Sequence, residues 1–177
     1  MTSKRQTTQD AFIGAATKLF AAYGYKGATV RNICKEAKRS IGTMYAHFRN
    51  KEALFRVMFR RNAHLFEGDM RDTCRRQGRR RQQLMGLAST CCRHKTFMRL
   101  VVADAQMGTG EFDRMAVAWA GRLRRWSPDV DPLHVIGAIQ EAAGRLFFVK
   151  GDLVPRRVRQ ALQDAFVHHP PRGVLAA

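Results

Sequence analysis

Apolar side chains recur along this chain at intervals of three and four, the spacing that places them on one face of an α-helix. Nowhere do β-branched residues alternate with polar ones between turn signals, as a strand requires. The pattern predicts an all-α protein. Thr7 to Asp10 reads as a capping box with Asp in place of Glu. It opens a stripe of Phe12, Ala16, Leu19, Phe20 and Tyr23, which Gly24 ends as a C′ residue. Thr29 caps a short second helix carrying Val30, Ile33, Cys34 and Ala37, and Ser40 caps a third carrying Ile41, Met44, Tyr45 and Phe48. Only Lys38 and Arg39 separate these two, and a pair of helices with so tight a joint, backed by a preceding helix, has the shape of a helix-turn-helix.

Asn50 caps the next helix, whose Leu54, Met58, Asn62 and Leu65 form a face that continues into the low seventies. About 25 residues at roughly 1.5 Å each span about 37 Å, so the two ends of this helix serve different surfaces. Later helices are expected from Arg81 to Met107 with a break near His94, from Glu111 to Trp126, from Pro132 to Lys150 and from Pro155 to His168. The expected organisation is an N-terminal three-helix domain over residues 1–50, joined by the long helix to a second helical domain over 51–170, with a disordered tail over 171–177. The helix from Pro132 is apolar nearly all round, with Leu133, Gly137, Gly144 and Phe147 on one side and Val135, Ile139, Ala142 and Leu146 on another. A surface helix needs only one stripe, so the second face is expected to meet a partner subunit, its glycines permitting close approach.

Charge sharpens this picture. The chain carries 32 Lys and Arg against 14 Asp and Glu, a net charge of +18, which favours polyanions through counterion release. Residues 1–60 hold 12 basic and 3 acidic side chains, so the N-terminal third is the better candidate for that contact. Arg71, Arg75, Arg76, Arg79, Arg80 and Arg81 form a second cluster, but it ends about 30 Å along the long helix from its first turn and reads as a solvated linker. Met1 to Asp10 has no apolar signal-like core, and no stretch reaches about 18 apolar residues, so a cytoplasmic protein without membrane contact is expected. Cys34, Cys74, Cys91 and Cys92 are then expected as reduced thiols.

Catalysis is not expected, because the chain has no Gly-rich phosphate fingerprint, no His-Glu-x-x-His pair and no Gly-x-Ser-x-Gly elbow. No cofactor and no metal is expected either: Cys91 and His94, three apart on one helical face, supply half of a zinc site. With Cys92 they leave thiol- or metal-responsive regulation open as an alternative. The charge leaves open a nonspecific basic nucleic-acid binder.

The string Thr29-Val30, then Ser40-Ile41-Gly42-Thr43-Met44-Tyr45-Ala46-His47-Phe48, then Asn50-Lys51-Glu52-Ala53-Leu54, with Ala15-Ala16, Leu19-Phe20 and Gly24-Tyr25 upstream, resembles the DNA-binding domain of the tetracycline-repressor (TetR) family. The resemblance implies a homodimeric, sequence-specific transcriptional regulator of double-stranded DNA. It implies a repressor released from a palindromic operator by a small-molecule effector, with recognition helices about 34–36 Å apart. By the same resemblance the hydroxyls of Thr29 and Tyr45 and the ammonium of Lys51 hold phosphates, and the last two helices dimerise, Leu162 and Phe166 joining Leu133, Gly137, Gly144 and Phe147. Met85, Met98, Met107, Trp119 and Phe147 are candidates to line the effector pocket and serve equally well as core.

On the residues themselves, Met44 and Phe48, four apart, pin the third helix, while Ser40, Gly42, Thr43, Tyr45 and His47 are left to approach the duplex. Backbone N–H groups in the first turn, at Gly42 and Thr43, favour a phosphate there. One departure stands out: Lys38-Arg39 occupies the joint where the family has Gly followed by an apolar residue. A non-glycine residue then sits at a turn that often needs a positive φ, at a cost of about 1 kcal/mol. Two cations stand beside the recognition helix in exchange, within reach of a phosphate or a guanine edge.

Overall fold

The computed structural model describes residues 4–76, 86, 89–126 and 131–146, and among these residues every regular element is an α-helix. Helix α1 (Lys4–Gly27) runs straight through Thr7 to Asp10, so the expected capping box does not start a helix. Gly24 takes the positive φ expected of it (φ 66°, ψ 179°) and bends the helix, but one further turn follows, to Gly27. Phe12, Ala16 and Phe20 are buried, whereas Tyr23 is 67% exposed. Beyond the bend its place against the core goes to Tyr25, stacked on Phe20 with ring centroids 5.5 Å apart.

Two seven-residue helices follow, α2 (Val30–Glu36) and α3 (Ile41–His47). Ala28, Ile33, Cys34, Ala37, Met44 and Phe48 are buried between them and α1. The long helix α4 (Lys51–Arg76) starts where Asn50 Oδ1 accepts the Ala53 N–H at 2.7 Å. Its buried series is Phe55, Phe59, Ala63, Phe66, Met70 and Cys74, flanked by Leu54 and Met58. Leu65 was expected on this face and is 60% exposed, while Asn62 donates to Thr17 Oγ1 at 3.3 Å and to the Met58 carbonyl at 2.9 Å. The cause is tertiary: α4 packs on α1 and on the two helices that follow, α5 and α6, so its buried face centres on the phenylalanines.

Residues 89–93 are helical and His94 breaks the run as expected. Helix α5 (Lys95–Met107) then closes on Gly108 at φ 66°. Helix α6 (Glu111–Trp126) has the expected bounds, and α7 (Pro132–Leu146) begins where expected. The expected helical segments 81–85, 147–150 and 155–168, and the tail 171–177, lie outside the described residues.

Phe59, Phe66, Phe97, Phe112 and Trp119 form an aromatic heart, with neighbouring ring centroids 5.1 to 6.2 Å apart. The apolar core runs without a gap from Phe12 to Ala143, across the expected boundary at residue 50. Two buried carboxylates brace it. Asp104 accepts the backbone N–H groups of Glu111 (3.2 Å) and Phe112 (3.0 Å), capping α6. Glu111, 1% exposed, accepts from Arg60 Nε at 2.8 Å and from Arg114, with Arg56 3.8 Å away. Burial pushes the Glu111 pKa up, but hydrogen bonds from Arg60 and Arg114 outweigh it and hold the carboxyl below its ordinary value. No described helix is long and apolar enough to cross a membrane.

Candidate nucleic-acid interface

The joint between α2 and α3 is fixed bond by bond from its local sequence. Thr29 sits in extended backbone and its Oγ1 accepts the Asn32 N–H at 3.2 Å, starting α2. At the other end the Lys38 N–H bonds the Lys35 carbonyl (3.1 Å) and the Arg39 N–H bonds the Cys34 carbonyl (3.0 Å), with Lys38 at φ 52°. This pair of bonds is the Schellman closure, and it places a lysine where glycine is the unstrained choice. Ser40 then caps α3, its Oγ accepting the Thr43 N–H at 3.0 Å and lying 2.8 Å from Thr43 Oγ1. Arg39 folds back to donate to the Lys38 carbonyl at 2.9 Å.

Helix α3 has one locked face and one open face. Met44 and Phe48 are buried, with Phe12 meeting Phe48 edge to face at 6.2 Å. Outward stand Ile41 (43% exposed), Gly42, Tyr45 (52% exposed) and Ala46. Ile41 was expected on the apolar stripe. It lies three residues before Met44 and four before Tyr45, so helical spacing fits either face, and the structure gives it to solvent. His47, expected to approach a duplex, is half-buried with its ring 6.3 Å from Phe12 and 6.4 Å from Phe48. In the first turn, where the sequence suggested a phosphate, the Thr43 N–H is engaged by Ser40 Oγ.

Lys51, expected at a phosphate, is engaged within the chain. Its Nζ donates to the carbonyls of Tyr25 (3.0 Å) and Ala28 (3.2 Å) and lies 4.0 Å from the centroid of the Tyr25 ring. Burial pushes the Lys51 pKa down and, with a smaller contribution from Glu52, the Tyr25 pKa up. No sequence rule marks those acceptors, which lie 26 and 23 residues away.

The C-terminal candidates separate. Met98 and Trp119 are fully buried core side chains. Met107 lies on a cleft of about 740 Å³ between the end of α1, the start of α4 and the α5–α6 turn, bounded also by Tyr23, Tyr25, Lys26, Arg56 and Thr109. On α7 Leu133 is half-buried and Gly137 exposed, opposite the buried Val135, Ile136 and Ile139, and Gly144 falls within the same helix. Met85, Phe147, Leu162 and Phe166 lie outside the described residues.

Cys91 is buried, and burial, with the neighbouring Cys92 adding to it, pushes its thiol up to about 11. That keeps it protonated and unreactive at neutral pH. His94 is engaged with Asp69 Oδ2 at 2.8 Å, and no group of three metal-ligating side chains gathers among the described residues.

Residues 12–58 match the family model described as bacterial regulatory proteins, tetR family. The HTH-type transcriptional regulator UidR of Escherichia coli K12 is 36% identical over 58 residues, 33% of this chain and 30% of that protein. The HTH-type transcriptional repressor AcnR of Corynebacterium efficiens is 35% identical over 60 residues, 34% of this chain and 32% of that protein. The chain thus spans about a third of the length of these relatives. Among solved structures, a transcriptional regulator (TerR/AcrR family) from Aquifex aeolicus VF5 superimposes with a TM-score of 0.58 over 91% of this chain and 98% of that one. At 17% identity this is a likeness of fold.

Proposed function

We propose that this chain is a sequence-specific transcriptional repressor of the tetR kind that binds a palindromic operator as a homodimer, a reading supported by the match of residues 12–58 to the model of the bacterial regulatory proteins, tetR family. The observation that carries the reading is the open face of α3: Ile41, Gly42, Tyr45 and Ala46 stand outward on a helix locked from behind by Met44 and Phe48. In this reading the Thr29 and Tyr45 hydroxyls and the Lys38 and Arg39 cations hold phosphates at the edges of the major groove. Ser40, Gly42 and Thr43 allow close approach, and Ile41 and Ala46 offer apolar contact to thymine methyls. His47 supports the helix through Phe12 and Phe48. Repression follows the relative AcnR, which is named a repressor.

The remaining parts extend the same reading. The outward Leu133 and Gly137 of α7 suit a partner subunit. Gln140 Nε2 is buried without a partner among the described residues, which supports a polar small-molecule effector in the C-terminal half. Such an effector releases the operator only through unequal affinity for the bound and free states of the protein.

Selecting binding sites from a random duplex library at about 150 mM salt tests the proposal, because nonspecific charge contacts weaken steeply with salt. A palindromic consensus bound about 10³-fold tighter than random duplex is the expected result. Recovery of unrelated sequences would sink it and leave the +18 chain as a nonspecific binder. An operator affinity that no bound compound alters would remove the effector.

A further inference from the structure

We propose that the cleft between the end of α1, the start of α4 and the α5–α6 turn is a ligand site of its own, fitted to a small aromatic carboxylate. It goes beyond the effector reading above, because none of its walls comes from α7, which carries Gln140. The cleft encloses about 740 Å³, inside the range of roughly 300–1,000 Å³ typical of small-molecule sites. Gly24 and Gly108, each at φ 66°, line it where α1 bends and where α5 closes.

The walls state the chemistry of the occupant. Tyr23 presents a ring that is 67% exposed, and Met107 adds a half-buried thioether, so one side of the cleft is an aromatic and apolar face. The charged groups on the lining are Lys26, Arg56 and Glu52. Glu52 accepts from Arg56 Nε at 3.1 Å and from Nη2 at 2.6 Å, so these two charges offset each other. The negative pole at the end of α1 is met by Lys51, which holds the Tyr25 and Ala28 carbonyls. Lys26 stands exposed with no acceptor among the described residues. One unmatched cation beside an open ring suits a flat anion, with its own ring on Tyr23 and its carboxylate at Lys26. A quaternary ammonium would gain the tyrosine face but meet Lys26 and Arg56. Because the walls come from three helices, an occupant ties the end of α1, three residues before Thr29, to α4 and α5, and it should raise the melting temperature.

The test uses the full wild-type chain with isotope-labelled methionine methyls, naphthylacetate as the probe, and Met107→Leu to identify the Met107 resonance. A saturable shift of the Met107 methyl is expected, with the methyl of Met98, deep in the core, unmoved. Naphthylethanol, which keeps the rings and drops the charge, and acetate, which does the reverse, should each bind at least about fivefold more weakly. Lys26→Gln and Tyr23→Ala, both at exposed positions, should weaken naphthylacetate by about fivefold.

No saturable shift at Met107 overturns the proposal, as does a shift at Met98 in its place. Equal affinity for naphthylethanol, or tighter binding of benzyltrimethylammonium, overturns the assignment of a carboxylate. Unchanged affinity in both variants moves the ligand out of the cleft, and if a variant does not fold the wild-type titration still decides. None of these measurements needs an operator. A failed site selection would therefore leave the cleft standing, and a cleft that takes no naphthylacetate would leave the operator reading standing.

Discussion

The reading unit and the helices behind it hold their shape by different means. Helices α2 and α3, seven residues each, are too short to persist alone. They are fixed at their ends by Thr29, Ser40 and the Lys38 turn, through bonds that span three to five residues. Behind them, α4, α5 and α6 are fixed chiefly through their middles, by rings tilted against one another across the core, with Glu111 at the start of α6 gripping Arg60 from 51 residues away. End-fixing leaves a helix face free for a ligand. Middle-fixing uses the faces up, and it resists substitution accordingly.

The largest test of that contrast is Phe66→Ala. The ring is fully buried against Phe97 and Trp119, and the cavity should cost about 3–5 kcal/mol in denaturant unfolding. A loss under about 1 kcal/mol would mean that the heart of the core can collapse, and the contrast would weaken.

Glu111→Gln comes next, at about 1–3 kcal/mol, since the three arginines it leaves remain partly open to water. The folded pKa of Glu111 lies below its ordinary value of 4.5. Its contribution is therefore present above that value and is lost as pH falls through the folded pKa. The gap between wild type and variant should close as the solution is acidified below 4.5, and a gap that widens on acidification would refute the ion pair.

In the reading unit the effects on stability shrink and those on binding take over. Lys38→Gly relieves the positive φ and should add about 1 kcal/mol, raising the melting temperature by about 2–4 °C, while removing a cation weakens operator binding. The gain in stability and the loss in binding must appear together; a variant that is no more stable, or that binds as tightly as wild type, contradicts the assignment. Smallest in stability is Tyr45→Phe, expected within about 0.5 kcal/mol of wild type because the ring is half open and its hydroxyl has no partner among the described residues. Its operator affinity should still fall about tenfold if the hydroxyl holds a phosphate, and unchanged binding would strike Tyr45 from the interface.

The same contrast governs what could be read from the chain. The caps at Thr29, Ser40 and Asn50 and the strained Lys38 were legible because donor and acceptor lie within a few residues, where spacing alone dictates the bond. The choice of Phe66 over Leu65 for burial was not, since neighbours in a helix differ by about 100° and the partners that decide between them come from α5 and α6. Glu111 looked like an ordinary acidic residue in a first helical turn, and nothing near it in sequence announces Arg56 and Arg60. The bonds of Lys51 were hidden for the same reason: its acceptors, the Tyr25 and Ala28 carbonyls, lie 26 and 23 residues back along the chain.

Helix α1 has a consequence for anyone exchanging parts between such regulators. One side of it closes on α2, the other lies along α5, and Arg99 of α5 reaches the Ala21 carbonyl at 3.4 Å. A chimera cut at residue 50 would transplant the reading surface with half of its foundation bare, leaving Phe20 without Phe55 and the Ala21 carbonyl without Arg99. A graft has to bring a matching fifth helix with it, so specificity in this architecture is portable only together with the wall it leans on.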